Sequence, residues 1–329
     1  MLLTLQNIKD IARGCVRIEQ DNGTFSLMRF TEKQSQAYLD INKRDFYNKT
    51  YATAGVRLAF KTDSKNFEFD YELYGSSSRQ FAYFDVYIDG RMKYHFGSEG
   101  ADNMSGHADI DLTQGTKMVE IYFPWTYCTK ISNVTINDSA FIEGVHRPKT
   151  IICFGDSITQ GYDARHPSLS YTALLSSLLD ADELNKGIGG DVFFPALLDE
   201  AECPDPDFIT VAYGSNDWHK RTLEEFEVNY REFLDRLVKL YPTSKTFILS
   251  PIWHCVFDAV AKVGMTVPEQ SAMMQKICAE YPTLHYIDGS TLTPNRLEFY
   301  ADRFSHPNDT GFAVYAAKLY AEIQKALAK

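Results

Sequence analysis

The stretch TIICFGDSITQ, residues 150–160, decides the fold of the second half of the chain. It opens with a short apolar run, as expected for a parallel strand that is covered on both faces. Similar runs follow at 207–213, 246–249 and 285–287, and another strand is predicted near Leu184. Helical patterns separate these runs. Repeated strand–helix units predict a three-layer α/β fold with a parallel sheet.

The clearest of the predicted helices covers residues 223–240. Thr222 and Glu225 form a capping box before it, and Pro242 ends it. An apolar stripe recurs at helical spacing and consists of Leu223, Phe226, Tyr230, Leu234 and Leu237. A last helix is predicted over 310–328.

The first half of the chain has the pattern of β structure. Apolar and acidic residues alternate strictly from Phe67 to Leu73, which marks a half-buried strand. Asp89 and Gly90 supply the positive φ angles of a tight hairpin turn. Further strands, without an amphipathic helix, are predicted at 25–30, 55–61, 84–88, 92–96, 117–123 and 130–136. We therefore predict an all-β sandwich or jelly roll over 1–145, a linker over 143–149 and the α/β domain over 149–329.

The composition excludes several classes of partner. The chain has 329 residues with 33 basic and 44 acidic side chains, and so a net charge of −11. Nucleic acids and anionic membranes require a basic surface, so neither is predicted as a partner. No apolar run reaches the ~18 residues of a membrane helix and no secretory signal is visible, which predicts a cytoplasmic protein. The 6 cysteines lack metal-ligand spacing, so reduced thiols, no metal and no cofactor are predicted.

Polar residues follow four of the predicted strands. They form the segments GDSITQG (155–161), NKGIGGD (185–191), GSNDW (214–218) and DRFSHPND (302–309). The carboxyl ends of parallel strands meet at one edge of a sheet, where ligands bind. A serine becomes nucleophilic when a base accepts its proton. Ser157 is therefore the candidate nucleophile and His306 its general base.

In this order the four segments resemble the SGNH hydrolase family, which is named for its serine, glycine, asparagine and histidine. The resemblance covers residues 149–329 and implies a flavodoxin-like three-layer αβα domain with serine esterase activity. It also implies an oxyanion hole formed by the N–H groups of Ser157 and Gly190 and the side-chain amide of Asn216. Gly189 is an alternative to Gly190 as the middle donor.

The acid of the catalytic triad departs from the family pattern. That pattern has an aspartate three residues before the histidine, where this chain has Arg303. We predict that Asp302 orients His306 through a bulged turn. Asp309 is an alternative, and some relatives use a backbone carbonyl instead.

A β-sandwich followed by an SGNH domain resembles carbohydrate esterase family two. The resemblance implies a Ser-His(-Asp) acyl-enzyme mechanism and an O-acetylated carbohydrate as substrate. Trp218 and Trp253 are predicted to stack on sugar rings at the mouth of the site, and Asp191 is a third candidate substrate-binding residue. Ser305 precedes His306, where that family places an aromatic residue. The alternatives are an esterase for small acyl or lipid esters and a non-catalytic carbohydrate-binding protein.

Overall fold

The computed structural model describes residues 1–100, 103–201, 203 and 205–328. Its strands are β1 Ala12–Arg13, β2 Arg17–Asp21, β3 Thr24–Met28, β4 Arg57–Thr62, β5 Asn66–Gly75, β6 Phe81–Ile88, β7 Arg91–Glu99, β8 Asn103–Asp111, β9 Lys117–Tyr122, β10 Tyr127–Ile136, β11 Ile142–Gly144, β12 Lys149–Gly155, β13 Ala181–Gly187, β14 Phe208–Ala212, β15 Lys245–Leu249 and β16 Leu284–Ile287. Its α-helices are α1 Leu5–Ile11, α2 Glu32–Asp40, α3 Arg44–Lys49, α4 Ser157–Gln160, α5 Tyr171–Leu179, α6 Ser215–Lys220, α7 Leu223–Leu240, α8 Val267–Cys278 and α9 Asp309–Leu327. None of the described helices combines the length and the apolarity that crossing a bilayer requires.

The strands of the first half form two antiparallel sheets that pack face to face. One has the order β1-β4-β9-β6-β7, with β11 beside β4, and the other has the order β2-β3-β10-β5-β8. Phe60, Phe67 and Phe84 are buried in their shared core, because alternate side chains of each strand point inwards. Asp89 and Gly90, with φ angles of 50° and 73°, form the hairpin turn between β6 and β7. The predicted β-sandwich is confirmed.

The prediction of a first half without helices was wrong. Helices α1, α2 and α3 have 7, 9 and 6 residues, which is too short for an apolar period to stand out. The sequence nevertheless held a signal, because Thr31 and Gln34 form a capping box at the start of α2. Tyr38 of α2 packs on Phe194 of the second half, with 4.8 Å between the ring centroids. Helix α2 therefore helps to join the two halves.

The second half is the predicted three-layer αβα domain. Its five parallel strands have the order β13-β12-β14-β15-β16. Tyr171 of α5 and Tyr315 of α9 pack on one face, and Tyr230 of α7 and Met274 of α8 pack on the other. Strands β13 and β14 lie on opposite sides of β12 within the sheet, so the connection to β13 and the connection to β14 lead away from β12 in opposite directions. A crevice opens at the carboxyl end of β12, where these connections diverge.

Helix α7 has the predicted bounds and the predicted capping box of Thr222 and Glu225. Four members of the predicted stripe are buried, but Leu223 is 39% exposed. Helical side chains point back towards the N-terminus, so the side chain of the first residue extends beyond the helix. Phe233 is buried in addition to the predicted residues.

A buried guanidinium connects the two halves. Arg29, just after β3, donates hydrogen bonds to the carbonyls of Asn185 at 2.8 Å and Gly187 at 3.2 Å, both in β13. It also donates to the carbonyl of Lys49 at the end of α3, at 3.0 Å. Burial lowers the pKa of Arg29 to about 9. The boundary predicted at 145–149 stays a prediction.

Candidate active site

Ser157 is the first residue of α4 and comes two positions after the end of β12. Asp156, not the serine, caps this helix, because its Oδ1 accepts the N–H of Ile158 at 3.0 Å. Gly155 permits the tight turn, since a Cβ at this position would lie 2.0 Å from the Thr159 hydroxyl oxygen. Within the described chain the N–H of Ser157 has no acceptor, as is usual in the first turn of a helix.

Ser157 and His306 are in direct contact although 149 positions separate them in the sequence. Ser157 Oγ lies 2.8 Å from His306 Nε2, and Asp302 Oδ2 lies 2.7 Å from His306 Nδ1. In the tautomer with hydrogen on Nδ1, the imidazole donates to Asp302 and its Nε2 can accept the serine proton. These three side chains, hereafter the relay, connect a hydroxyl to a base and the base to a carboxylate.

A turn at Arg303 brings Asp302 to the histidine from four positions upstream. Arg303 has a φ angle of +54°, in the left-handed region. Asp302 Oδ1 accepts the N–H groups of Phe304 at 2.8 Å, Ser305 at 2.9 Å and His306 at 3.1 Å. Burial by itself raises the pKa of Asp302, but the hydrogen bonds from His306 and from the backbone lower it overall. The carboxylate is therefore ionised and fixed in orientation.

Two other carboxylates near the site have different partners. Asp309 lies 2.7 Å from His166 Nδ1, and it also accepts the N–H of Arg165 at 2.8 Å. Asp163 Oδ2 lies 3.8 Å from His306 Nδ1, and Asp163 Oδ1 accepts a hydrogen bond from Arg79 at 2.6 Å. Among the described carboxylates, Asp302 is the one that is hydrogen-bonded to the His306 ring.

Gly189 and Gly190 differ in how their N–H groups are used. The N–H of Gly189 donates to Gln160 Oε1 at 2.7 Å. The N–H of Gly190 has no acceptor in the part of the chain that the structure describes. Gly190 also has a φ angle of +88°, which favours glycine at this position. Of the two glycines, Gly190 is the one with a donor available for an oxyanion.

Asn216 lies in the first turn of α6, beyond the end of β14. Its Nδ2 donates to Asp156 Oδ2 at 3.2 Å, and this bond orients the amide. The second hydrogen on Nδ2 remains for a ligand. Burial raises the pKa of Asp156 to about 6. Ser157, Gly190 and Asn216 line the same cavity, which is the arrangement that an oxyanion hole requires.

The relay opens into a cavity of about 410 Å³. Trp218 lines it, but this side chain is only 8% exposed and its Nε1 donates to the Met265 carbonyl at 2.8 Å. Trp253 lies outside the described lining and packs on Tyr300, with 5.4 Å between the ring centroids. Trp253 is thus held by packing, and its predicted stacking on a sugar ring stays a prediction.

Asp191, the third predicted substrate-binding residue, is not among the described residues that line this cavity. Asp191 is 1% exposed, and it accepts a hydrogen bond from the Tyr38 hydroxyl at 2.7 Å. Burial raises the pKa of Asp191 to about 7. The carboxylate points into the contact between α2 and the second half. It is a buried group, and its predicted role in substrate binding stays a prediction.

Several cavity residues were missed in the sequence. Lys49, Ser78 and Arg79 belong to the first half, and no local pattern marks a contact that depends on how the halves pack. Phe304 is different, because it lies two positions before His306 and directly before Ser305. The sequence could therefore have identified it. It lines the cavity and is 46% exposed.

Two groups of described side chains have the composition of metal ligands. They are Asp85 with His95 and His166, and Asp163 with Asp302 and His306. The second group contains two members of the relay, Asp302 and His306, and both nitrogens of His306 are already hydrogen-bonded. In the first group His95 Nδ1 lies 2.7 Å from Asp85, and His95 stacks on His166 with 4.0 Å between the ring centroids.

A hydroxyl, an imidazole and a carboxylate at the edge of a parallel sheet, beside three groups that can donate hydrogen bonds, are the arrangement that serine hydrolases use. The model of the GDSL-like lipase/acylhydrolase family matches residues 153–314, which contain all four strand-end segments. The second half is thus a GDSL-type (SGNH) hydrolase domain, and the protein is a carboxylic ester hydrolase.

Three solved structures share the two-part fold. A salicylyl-acyltransferase from a tetracycline biosynthetic pathway has a TM-score of 0.81 and 23% identity, over 96% of this chain and 94% of that one. An acetyl xylan esterase from the rumen bacterium Butyrivibrio proteoclasticus has a TM-score of 0.64 and 14% identity, over 100% and 98%. A family two carbohydrate esterase from Clostridium thermocellum has a TM-score of 0.63 and 15% identity, over 84% and 94%. A comparison with curated protein sequences gave no match.

Proposed function

We propose that this protein is a serine esterase that removes O-acyl groups, above all O-acetyl groups, from carbohydrates. The observation that carries the proposal is the relay, with contacts of 2.8 Å from Ser157 to His306 and 2.7 Å from His306 to Asp302. The family match supports ester hydrolysis. The fold shared with carbohydrate esterases and the lining of the cavity support the sugar component.

The reaction begins with attack of Ser157 Oγ on the ester carbonyl carbon, while His306 Nε2 takes the serine proton. Asp302 stabilises the imidazolium that results. The carbonyl oxygen becomes an oxyanion, which the N–H groups of Ser157 and Gly190 and the amide of Asn216 bind. When the tetrahedral intermediate collapses, His306 returns the proton to the leaving sugar oxygen and the acyl group stays on Ser157.

Water completes the cycle. His306 takes a proton from a water molecule, and the hydroxide attacks the acyl carbonyl in the same oxyanion hole. The second intermediate releases the carboxylic acid and returns the proton to Ser157. Each step needs one base and one set of donors, so the residues of the relay serve both halves of the reaction.

The lining of the cavity combines polar groups with apolar side chains, both of which an acylated sugar can contact. Ser78 and Arg79 contribute polar groups, and the exposed ring of Phe304 offers a flat face to a sugar. His254 also lines the cavity, and burial lowers its pKa to about 4. This imidazole is therefore uncharged at neutral pH and can accept a hydrogen bond from a hydroxyl group.

Substitution of Ser157 by alanine, combined with a series of substrates, tests the proposal. We expect Ser157→Ala to abolish hydrolysis of aryl acetate, and the wild-type protein to release acetate from acetylated oligosaccharides. Rates on acetyl, butyryl and octanoyl esters should fall with chain length. Faster turnover of octanoyl esters would favour a lipid esterase instead. Hydrolysis that survives Ser157→Ala would refute the assignment of Ser157 as the nucleophile.

A further inference from the structure

The oxyanion loop, Gly189–Gly190, is held by a cation from the first half of the chain. Lys49, the last residue of α3, donates from its Nζ to the Gly189 carbonyl at 2.8 Å. The lysine side chain is 7% exposed, and Asp45 Oδ2 accepts a second hydrogen bond from Nζ at 2.6 Å. A buried ammonium group on a backbone carbonyl makes a charge-assisted hydrogen bond, which is roughly twice as strong as a neutral one.

The carbonyl of Gly189 and the N–H of Gly190 belong to the same peptide unit. In a trans peptide these two groups point in opposite directions, and the described chain has no cis peptide bond. A cation that binds the oxygen therefore turns the N–H away from itself. It also draws electrons towards the oxygen, which makes the N–H a stronger donor.

We propose that Lys49 is a positioning residue of the esterase, which orients and polarises the Gly189–Gly190 peptide so that the Gly190 N–H binds the oxyanion. The inference rests on the proposed function and adds a role for the first half of the chain. Gln160 holds the other side of Gly189 by accepting its N–H at 2.7 Å. The loop is thus fixed from two sides, and the free donor at Gly190 is the part left for the reaction.

A second lysine contacts the loop in a different way. Lys220 of α6 donates to the carbonyl of Gly190, which belongs to the next peptide unit. The N–H of that unit is on Asp191 and donates to the Ile188 carbonyl at 3.0 Å. Lys220 therefore strengthens a hydrogen bond inside the loop, whereas Lys49 acts on the peptide whose N–H is free.

The test compares Lys49→Met with Lys43→Met as a matched control. Both lysines place Nζ over the ring of Phe46, at 5.3 Å for Lys49 and 5.7 Å for Lys43. Within the described residues no hydrogen bond joins the Lys43 ammonium to the loop. Both substitutions remove one positive charge from the same region, so a general effect of charge appears equally in the two variants.

We expect Lys49→Met to lower kcat about tenfold with KM nearly unchanged, which is less than the ~10²–10³ lost when an oxyanion donor is removed outright. Affinity for a trifluoromethyl ketone, which forms a tetrahedral oxyanion on the serine, should fall by the same factor as kcat/KM. Lys49→Arg should recover most of the rate. Lys49→Gln, which can donate a neutral hydrogen bond, should lie between and preserve the fold if the methionine variant does not.

Three outcomes would overturn the inference. Equal rates in the Lys49 variants and Lys43→Met would exclude a specific role. A rise in KM with unchanged kcat would make Lys49 a contact for the substrate instead. A lower kcat with unchanged affinity for the ketone would exclude an effect on the oxyanion. Because Ser157→Ala is measured in the same assay, failure of the proposed function would be visible separately.

Discussion

Replacement of Asp302 by asparagine tests whether this carboxylate orients His306. Asp302 Oδ2 lies 2.7 Å from His306 Nδ1, and the next carboxylate oxygen, on Asp163, lies at 3.8 Å. With an effective dielectric constant of about 20, opposite unit charges gain about 6.1 kcal/mol at 2.7 Å and about 4.4 kcal/mol at 3.8 Å. If Asp163 took over completely, the loss would be about 1.7 kcal/mol, or roughly 20-fold in kcat.

We expect a larger loss for two reasons. Arg79 pairs with Asp163 and offsets its charge. The asparagine amide would also donate to Nδ1 and hold the imidazole in the tautomer whose Nε2 carries hydrogen, which cannot accept the serine proton. In triads of this type such a change lowers kcat by about 10⁴. The expected fall for Asp302→Asn is therefore about 10²–10⁴ in kcat, with little change in KM.

Steady-state hydrolysis of an aryl acetate measures this effect, with Asp309→Asn as the control. Asp309 binds His166 and has no contact with the His306 ring, so its substitution should change kcat by less than about threefold. A fall of less than about tenfold for Asp302→Asn, or an equal fall for Asp309→Asn, would refute the assignment of the acid.

Three further outcomes are expected. Burial raises the folded-state pKa of Asp191 to about 7, so the folded protein retains a proton that the unfolded chain releases. Stability should therefore fall as pH rises from about 4 to about 7. Asp191→Asn should flatten this slope in thermal unfolding, and an unchanged slope would contradict the burial argument. Arg29→Met leaves buried carbonyls without donors and should lower the free energy of unfolding by about 3–5 kcal/mol in chemical denaturation. A loss below about 1 kcal/mol would mean that the hydrogen bonds between the halves are weak. Phe304→Ala should lower kcat/KM about tenfold on acetylated oligosaccharides but not on ethyl acetate, because only the sugar stacks on the ring. Equal losses on both substrates would assign Phe304 to the acyl side.

The sequence was sufficient to predict the parts of the site that follow strand ends. Ser157, Asn216 and His306 each stand just beyond a strand or before a helix, where the topology of a parallel sheet fixes their meeting point. The contact between Asp302 and His306 could not be derived from strand ends alone. It depends on a left-handed φ at Arg303, and nothing in an arginine side chain signals that conformation.

Local sequence patterns could not predict the contacts between the two halves. Tyr38 and Asp191 are hydrogen-bonded across 153 positions, and each looks like an ordinary surface residue of its own segment. Lys49 ends a helix of 6 residues that had no visible apolar period. For Asp191 and Trp253, the position in the sequence, beside a functional segment or after a strand, does not fix the direction of the side chain, so their predicted contacts with the substrate stay predictions.

The hydrogen bonds between the halves make the rate of the enzyme depend on the position of the sandwich. Lys49 holds a carbonyl beside the nucleophile, and Arg79 holds the carboxylate Asp163 near the base. An error of about 1 Å in the placement of reacting groups can lower a rate about 10²-fold. A ligand or mutation that displaces the sandwich by that distance would therefore lower the turnover rate even if Ser157, His306 and Asp302 were unchanged.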